Sequence, residues 1–374
     1  MREALRWGEQ ALAQSALDTP RLDAEILLAY ALGITRAQLH VHSQSQLSST
    51  ELAHYHQLIE RRARSEPVAY IVGQKEFYGL DLFVDNRVLI PRPETELLVE
   101  KAIEISQRRA AGVCKSCGSE RRLSSDLGRV AEGVSRPAYR NQASSPWATR
   151  LASILRSAPT RPALYMRPVV ADIGTGSGAI AVSLAVHLPQ ALVYATDASS
   201  GALEVAARNC RRHRVEDRVH LLQGHLLEPL PEPVDLIVAN LPYVSQAELA
   251  QLPPEINCYE PREALNGGLD GLDHIRRLLA QAGEHIRPGG VVLLEIGATQ
   301  GEAAIALARR HFPAAKVEIV KDYAGLDRVV MVDTPPQLGE GLPTEPRPAS
   351  VRDPRRTKGS KGTEDDAAGA IGRL

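Results

Sequence analysis

The sequence predicts an α/β fold with a doubly wound, mostly parallel sheet that follows a small helical domain. From Val169 onward, short apolar runs alternate with helical segments, which is typical of a parallel sheet with crossover helices. The last two apolar runs are joined too briefly for a helical crossover, so that pair is expected to be antiparallel. Before about residue 64, apolar residues recur at helical spacing and predict the helical domain.

The helical domain is expected to cover residues 1–74. Pro20 stands where one helix can begin, and Gly33 stands where it would end. Ser48 and Glu51 have the spacing of a capping box at the start of another helix. No residue of this domain has obvious chemistry, so structural packing and substrate recognition both stay open, and the domain is assigned to substrate recognition.

The rest of the chain divides by composition. A hairpin linker is expected over residues 75–90, and the α/β domain over 91–333. Residues 107–167 are rich in Arg, Ser, Gly and Ala without a regular apolar period, which predicts a flexible insertion. Residues 334–374 combine Pro, Gly and charge, which predicts a disordered tail.

The individual elements follow from apolar runs and turn residues. Thr95 is expected to cap a helix that runs from Glu96 to about Ile105. Pro288-Gly289-Gly290 is expected to be a turn before the fifth strand. The predicted strands are 169–172, 191–197, 219–222, 234–239, 291–296, 316–320 and 328–332, and the predicted helices between them end at 188, cover 202–212 and cover 273–285.

Composition excludes several classes of function. The formal net charge is −1, so no global field attracts nucleic acid or an anionic membrane. No apolar run approaches the length that spans a bilayer, and the first residues do not form a signal peptide. Four cysteines fit a reducing cytoplasm. Cys114 and Cys117 form only half of a zinc site, so no metal is expected.

A glycine-rich loop follows the first strand of the α/β domain. Gly174, Gly176 and Gly178 permit a tight turn and a close approach of a ligand to the backbone. Asp197 ends the next strand about twenty residues later, where a carboxylate is expected to hold a ribose diol. Capping of the following helix is the alternative role for Asp197. Asp172 is expected to face an ammonium group of the ligand.

The fourth strand ends in Asn240-Leu241-Pro242-Tyr243, at the edge of the sheet where ligands bind. The Asn240 side-chain oxygen and the Leu241 carbonyl can each accept one N–H bond from a planar NH2 group, and Tyr243 can stack on its plane. An amide nitrogen is a poor nucleophile, so such alignment is what it needs. The alternative is a simple strand-ending turn, since Asn and Pro are common turn residues.

Seven segments of the chain match one known family. They are Pro91-Arg92-Pro93-Glu94-Thr95-Glu96, Asp172 to Gly178, Asp197, Asn240 to Tyr243, Tyr259-Glu260-Pro261, Gly267-Gly268-Leu269-Asp270-Gly271 and Glu295-Ile296-Gly297. On these segments, the chain resembles the HemK/PrmC family of peptide chain release factor glutamine N-methyltransferases. The similarity covers about Met1 to Val332 apart from the insertion.

The resemblance implies a class I, Rossmann-like methyltransferase domain behind the helical domain and hairpin. It implies a protein substrate, the glutamine of the Gly-Gly-Gln tripeptide in class 1 release factors, and hence a cytoplasmic role in translation termination. A monomer without a membrane or nucleic-acid partner is expected. The implied cofactor is S-adenosylmethionine, with Asp172, Gly174, Thr175, Gly176, Ser177, Gly178, Asp197, His225 and Asn240 around it. Asn240, Leu241, Pro242 and Tyr243 are assigned to the substrate amide, with Asn240 and Tyr243 as the catalytic residues.

Two residues depart from the family pattern, and other functions stay open. Leu241 replaces the first proline of the usual Asn-Pro-Pro-Tyr motif, which keeps the carbonyl but makes the turn less rigid. His225 stands where the family usually has an acidic residue near the adenine. Another planar amine, in a ribosomal protein or a nucleic-acid base, is an alternative substrate, and a non-catalytic cofactor-binding module is a second alternative. The glycine spacing argues against an NAD-dependent oxidoreductase.

Overall fold

The structure of the chain is a computed structural model that describes residues 1–15, 17–41, 44–116 and 167–336. Within 110–116 it describes the helical backbone alone. The predicted fold class is confirmed within these ranges. No helix in them combines the length and hydropathy needed to cross a bilayer.

The N-terminal part of the described chain is helical, as predicted. Gly33 has φ +63° and ends one helix in the left-handed conformation that glycine adopts easily. The predicted capping box between Ser48 and Glu51 is present. A buried ion pair of 2.7 Å joins Arg62 to Asp23 across two of these helices. The helices are α1 Arg2–Ala13, α2 Pro20–Leu32, α3 Arg36–Val41, α4 Ser49–Ala63 and α5 Val68–Val72.

A two-stranded antiparallel hairpin, β1 Gln74–Phe77 and β2 Leu80–Phe83, follows the helices and overlaps the segment expected to be a hairpin linker. Asn209, which is fully buried, holds it against the α/β domain. The Asn209 Oδ1 accepts from the Phe83 N–H at 2.7 Å, while its Nδ2 donates to the carbonyls of Phe83 and Ser177. One side chain therefore ties the hairpin to the predicted glycine-rich loop.

The main sheet has seven strands in the order β5-β4-β3-β6-β7-β9-β8. The first five are parallel, and β9 is antiparallel to both of its neighbours, as expected from the short β8–β9 connection. The strand order reverses between β3 and β6, which makes their carboxyl ends the ligand-binding crevice of such a sheet. The strands are β3 Val169–Ile173, β4 Leu192–Asp197, β5 Val219–Gln223, β6 Val234–Ala239, β7 Ile286–Glu295, β8 Lys316–Lys321 and β9 Asp327–Asp333.

Helices cover both faces of the main sheet, and the core lies in the two layers between. Val170, Leu236 and Leu293 belong to one buried apolar cluster, while Ala171 and Ile237 belong to the other. This alternation along neighbouring strands is the period of two that a sheet requires. The helices are α6 Glu96–Ser116, α7 Ala179–His187, α8 Ser200–His213, α9 Gln246–Leu249, α10 Pro254–Asn257, α11 Asp273–His285 and α12 Gly301–His311.

Two predictions about the start of the α/β domain are wrong. Thr95 does not cap α6, because it ends a 3₁₀ turn over Pro93–Thr95 that runs directly into the helix. The helix also does not end near Ile105 but continues to Ser116. Arg109, inside the predicted insertion, donates to the backbone carbonyls of Asp235 and Gly289, and these contacts hold the polar end of the helix on the sheet. Residues 117–166 of the predicted insertion and 337–374 of the predicted tail lie outside the described ranges.

The predicted turn at Pro288-Gly289-Gly290 is also wrong, because these residues belong to β7. The Gly289 N–H donates to the Pro335 carbonyl at 2.9 Å, and the Gly290 carbonyl accepts from the Thr334 N–H at 3.0 Å. The segment after β9 thus pairs with these residues. The pairing of β6 with β7 shifts register between Val234 and Leu236, which accommodates the extra residues.

Candidate active site

A cavity of about 480 Å³ opens at the carboxyl ends of β3, β4 and β6. This volume falls in the range of about 300–1,000 Å³ that is typical of small-molecule sites. Of the residues predicted for the site, Gly174, Thr175, Gly176, Ser177, Asp197, His225, Asn240, Leu241 and Pro242 line the cavity. Asp172, Gly178 and Tyr243 are not among its lining residues.

The glycine-rich loop forms one wall of the cavity. The N–H groups of Gly174 and Thr175 both donate to the Thr196 carbonyl at 2.9 Å, which holds the loop on the end of β4. Gly176 has φ +54°, a conformation that side chains other than glycine rarely adopt. A Cβ built at Gly176 meets no atom within 4 Å, so the backbone here borders open space. A ligand can therefore approach this peptide closely.

Asp197 lies beside the loop at the end of β4. Its Oδ2 accepts from the Gly176 N–H and its Oδ1 from the Ser199 N–H, both at 2.9 Å. The cap of α8 is Ser199, whose side chain accepts from the Ala202 N–H. Each carboxylate oxygen can accept a further bond, so Asp197 keeps the capacity to accept from two hydroxyl groups. Burial raises the pKa of Asp197, and the backbone donors of Ser199, Gly176 and Ala198 oppose that shift.

Asp172 lies behind the loop and is fully buried. Its Oδ2 accepts from the Thr175 hydroxyl at 2.6 Å and from the Ala181 N–H at 3.1 Å, so it links β3, the loop and α7. Its Oδ1 has no hydrogen-bond partner among the described residues. Burial raises the pKa of Asp172 to about 7. A direct contact of Asp172 with a ligand ammonium group stays a prediction.

The turn after β6 forms the opposite wall. Asn240 donates from Nδ2 to the Thr95 hydroxyl oxygen at 2.9 Å. Within the described residues, no hydrogen bond reaches the Asn240 Oδ1. The Leu241 side chain is buried, and it lies 3.1 Å from the position of a Cβ built on Gly174. The glycine-rich loop and the turn are therefore in close contact, and the Asn240 Oδ1 keeps its capacity to accept hydrogen bonds.

Tyr243 belongs to the same turn but does not line the cavity. Its hydroxyl donates to the Glu295 Oε1 at 3.4 Å, and the Gln300 Nε2 donates to its carbonyl at 3.0 Å. Burial raises the pKa of Tyr243 to about 12, so the hydroxyl keeps its proton at neutral pH. The hydrogen bond from Tyr243 to Glu295 joins the turn to the end of β7. Stacking of Tyr243 on a substrate amide stays a prediction.

The segment from Gly267 to Gly271 packs on the backbone of this turn. A Cβ on Gly267 would lie 2.8 Å from the Pro242 carbonyl oxygen, and a Cβ on Gly271 would overlap the Tyr243 carbonyl oxygen. The Gly267 N–H also donates to the Val244 carbonyl at 2.8 Å. Glycine is required here because the two backbones are too close for any side chain.

Substituting Gly271 by alanine is expected to displace the turn. The added Cβ overlaps the Tyr243 carbonyl, and φ +76° strains any residue with a side chain. We expect the free energy of unfolding to fall by about 1–3 kcal/mol, as for other overpacked sites, with a loss of turnover. Thermal melting and turnover measure the two effects.

Gly283→Ala is the matched control, because Gly283 lies in α11 and a Cβ there meets nothing within 4 Å. The free energy of unfolding of that variant should rise by about 0.5–1 kcal/mol, because alanine loses less conformational entropy than glycine when the helix forms. Equal melting temperatures for the Gly271 variant and the unmodified chain would contradict the close packing described.

Several residues at or near the cavity were not assigned to the site in the sequence analysis. Arg92 lines the cavity and forms an ion pair of 2.5 Å with Glu260, whose other oxygen accepts from the Ile90 N–H. Burial raises the pKa of Glu260, and Arg92 opposes the shift. Glu295 and Thr95 belong to the segments that match the family pattern, but their contacts join residues far apart in sequence.

The cavity fits the cofactor expected from the sequence. The unpartnered Asp172 Oδ1 is a buried acceptor directly behind the loop. Asp197 can accept from a diol, and the open space at Gly176 leaves the loop accessible. Within the described ranges, no group of three or more His, Cys, Asp or Glu side chains is arranged for a metal ion. The predicted half-site is not described, since Cys117 and the Cys114 side chain lie outside those residues.

Two protein-family models match the chain. The PrmC N-terminal domain matches residues 3–73, and the methyltransferase small domain matches residues 153–253. The first therefore covers the helical segment, and the second covers the strands that form the cavity.

Curated relatives match most of the chain. The release factor glutamine methyltransferase of Moorella thermoacetica is 38% identical over 329 residues, covering 88% of this chain and 96% of the relative. The Geobacter sulfurreducens protein of the same name is 37% identical over 332 residues, covering 88% and 95%. A solved release factor-specific protein-(glutamine-N5) methyltransferase from Alicyclobacillus acidocaldarius is 25% identical, covering 66% of this chain and 95% of that one, with a TM-score of 0.33. Family membership rests on the sequence relatives.

Proposed function

Because this chain belongs to the release factor glutamine methyltransferase family, we propose that the cavity between β3 and β6 is its active site. The protein is an S-adenosylmethionine-dependent protein-glutamine N-methyltransferase. We propose that its substrate is the glutamine of the Gly-Gly-Gln motif in class 1 peptide chain release factors. One observation supports the site most: the glycine-rich loop, Asp197 and the Asn240 turn all line one cavity.

S-adenosylmethionine, when bound, supplies an electrophilic methyl group on a sulfonium sulfur. We assign its binding to Gly174, Thr175, Gly176, Ser177 and Asp197, which line one side of the cavity. Gly178 contributes through the fold of the loop, and Asp172 holds the loop through Thr175. His225, also in the lining, is assigned to the adenine end.

The turn after β6 is assigned to the substrate amide. An amide nitrogen is a weak nucleophile because its lone pair is delocalised into the carbonyl. The Asn240 Oδ1 and the Leu241 carbonyl each accept one N–H of the substrate amide and so fix the direction of its nitrogen. Orientation of this kind lowers a barrier by about 7 kcal/mol or more. Neither acceptor is basic, so the nitrogen proton leaves to water.

The contacts around the turn support its rigidity despite Leu241. Proline at this position would restrict the backbone, whereas leucine does not. Here the Gln300 side chain donates to the Tyr243 carbonyl at 3.0 Å, and the backbone of Gly267 donates to Val244 at 2.8 Å. The buried Leu241 side chain also packs against the glycine-rich loop. These contacts restrain the turn that carries the Leu241 carbonyl without the proline ring.

The partner of the enzyme is a release factor. We infer that the chain acts as a monomer in the cytoplasm on the release factor itself, without a nucleic-acid partner. The net charge of −1 supports only the last part of this inference, since nucleic-acid binding uses a basic surface.

Methyl transfer from labelled S-adenosylmethionine to a purified class 1 release factor tests the proposal. A release factor with the Gly-Gly-Gln glutamine changed to alanine is the matched control. We expect label on the first and none on the second, with one added methyl group mapped to that glutamine. Equal labelling of both proteins would place the substrate elsewhere, and transfer to RNA alone would favour a nucleic-acid base.

A further inference from the structure

A chain of polar contacts leads from Asn240 into the core. The Asn240 Nδ2 donates to the Thr95 Oγ1 at 2.9 Å, and the Thr95 hydroxyl faces the Glu295 carboxylate, whose pKa it lowers. The Tyr243 hydroxyl donates to the Glu295 Oε1 at 3.4 Å. These residues come from the 3₁₀ turn before α6, the turn after β6 and the end of β7. Three segments distant in sequence therefore meet behind the substrate turn.

The chain of polar contacts is shielded from water. Thr95 is 4% exposed and Glu295 is 1% exposed. The Glu295 Oε2 has no hydrogen-bond partner among the described residues. A buried carboxylate that is only partly satisfied costs stability, and a group of this kind calls for an explanation beyond packing.

The chemistry of these groups decides which end of the Asn240 amide faces the cavity. The oxygen and NH2 ends of an asparagine side chain have nearly the same size, so shape alone does not distinguish them. A carboxylate only accepts hydrogen bonds. With the single Thr95 proton directed to Glu295, the Thr95 oxygen is left to accept from Asn240. Asn240 must turn its NH2 toward Thr95 and its oxygen toward the cavity.

We propose that Thr95 and Glu295 are positioning residues that fix the orientation of the Asn240 amide, so that Oδ1 and not Nδ2 meets the substrate. The proposal rests on the proposed function for the use of that oxygen. An Asn240 amide turned the other way would present a donor to the substrate NH2, and two donors do not bond.

The protonation state of Glu295 affects the same orientation. Burial raises the pKa of Glu295 to about 7, with Thr95 and Arg328 opposing the shift. Glu94, Arg328 and the Tyr243 hydroxyl are the other charged or titratable groups that face it. Once protonated, Glu295 can donate to Thr95, whose proton is then released for the Asn240 oxygen. The preferred orientation should therefore be lost as pH falls through about 7.

Substitutions of nearly equal size test the proposal by turnover. Thr95→Val is expected to lower kcat by about 10- to 100-fold, the size of a small misplacement in a reacting site. Thr95→Ser keeps the hydroxyl and should recover most of this loss. The affinity for S-adenosylmethionine, measured by calorimetry, should change in neither variant. Thr50→Val, at an exposed helical position, is the matched control.

A spectroscopic measurement reads the orientation without cofactor or substrate. The side-chain amide signal of Asn240, assigned by its loss in Asn240→Ala, should shift with an apparent pKa near 7 in the unmodified chain. In Glu295→Gln that titration should disappear, because glutamine is neutral at every pH. Asp172 also has a pKa of about 7, but Glu295→Gln leaves Asp172 unchanged. A shift of the Asn240 signal that came from Asp172 would therefore persist in this variant.

The outcomes separate this proposal from the proposed function. Wild-type turnover in Thr95→Val, or an Asn240 signal that titrates equally in Glu295→Gln, would overturn the positioning role. Thr95 lines the cavity, so a parallel fall of cofactor affinity and turnover in Thr95→Val would also overturn the positioning role, by showing that Thr95 acts through cofactor binding. If the unmodified enzyme transfers no methyl to a release factor, the proposed function fails, and the amide titration still decides the orientation of Asn240.

Discussion

Asn240→Ala is expected to lower the turnover of methyl transfer by at least about 100-fold, because the reacting nitrogen loses its orienting acceptor. Asn240 lines the cavity, its Oδ1 has no hydrogen-bond partner among the described residues, and its Nδ2 donates to Thr95. Alanine removes both groups. The Leu241 carbonyl remains and can accept only one of the two substrate N–H groups.

The affinity of Asn240→Ala for S-adenosylmethionine should stay within about threefold of the unmodified value, a difference under 1 kcal/mol. The glycine-rich loop and Asp197 form a separate wall of the cavity and are unchanged. Asn257→Ala is the matched control, since Asn257 is exposed on the short helix α10. Single-turnover rates and calorimetry measure the two quantities. Normal turnover in Asn240→Ala would remove the turn from the reaction.

The second large effect is expected at Asp197. Asp197→Ala should weaken S-adenosylmethionine binding by about 10- to 100-fold, because hydrogen bonds to a charged group contribute about 1.5–3 kcal/mol. Two causes act together. The ligand loses its carboxylate acceptor, and the loop loses the bond from the Gly176 N–H to the Asp197 Oδ2.

Asp197→Asn separates these causes, because asparagine keeps one acceptor oxygen and can hold either the loop or the ligand. Its affinity should lie between those of the alanine variant and the unmodified chain. Asp217→Ala, at a side chain that is 73% exposed, is the matched control. Equilibrium binding provides the measurement. An unchanged dissociation constant in Asp197→Ala would leave Asp197 with a purely structural role in the loop.

The extents of most strands could be predicted from the sequence. Strand β6 was predicted at Val234–Ala239, as observed, and β3 to β5 within one residue at each end. Strands β3 and β6 are buried along nearly their whole length, so they read as continuous apolar runs. The placement of the glycine-rich loop and the Asn240 turn at one edge followed from the same parallel order.

The contacts behind the site could not be predicted in this way. Asn240 and Thr95 are 145 residues apart, and only the folded chain brings their side chains within 2.9 Å. Glu295 reads as the end of an apolar strand, and nothing local indicates that Thr95 and Tyr243 reach it. Thr95 itself has the residue type of a helix cap, and this local preference suggested the wrong role.

The length of α6 was missed for a related reason. Beyond Ile105 the helix carries Gln107, Arg108 and Arg109, and an apolar period is no longer visible. Its stability there depends on Arg109 reaching backbone carbonyls on two strands. The glycines at 289 and 290 were likewise assigned to a turn, because their pairing with residues 334 and 335 lies outside any local pattern.

The most direct test of the account is a crystal structure of the enzyme with S-adenosylhomocysteine and a class 1 release factor. The account predicts that the Gly-Gly-Gln glutamine reaches the cavity and donates its two N–H bonds to the Asn240 Oδ1 and the Leu241 carbonyl. It also predicts that Asp197 bonds to the ribose of the ligand. A glutamine side chain bound away from the turn after β6, or a ligand that does not touch the glycine-rich loop, would contradict the assignment of this cavity as the active site.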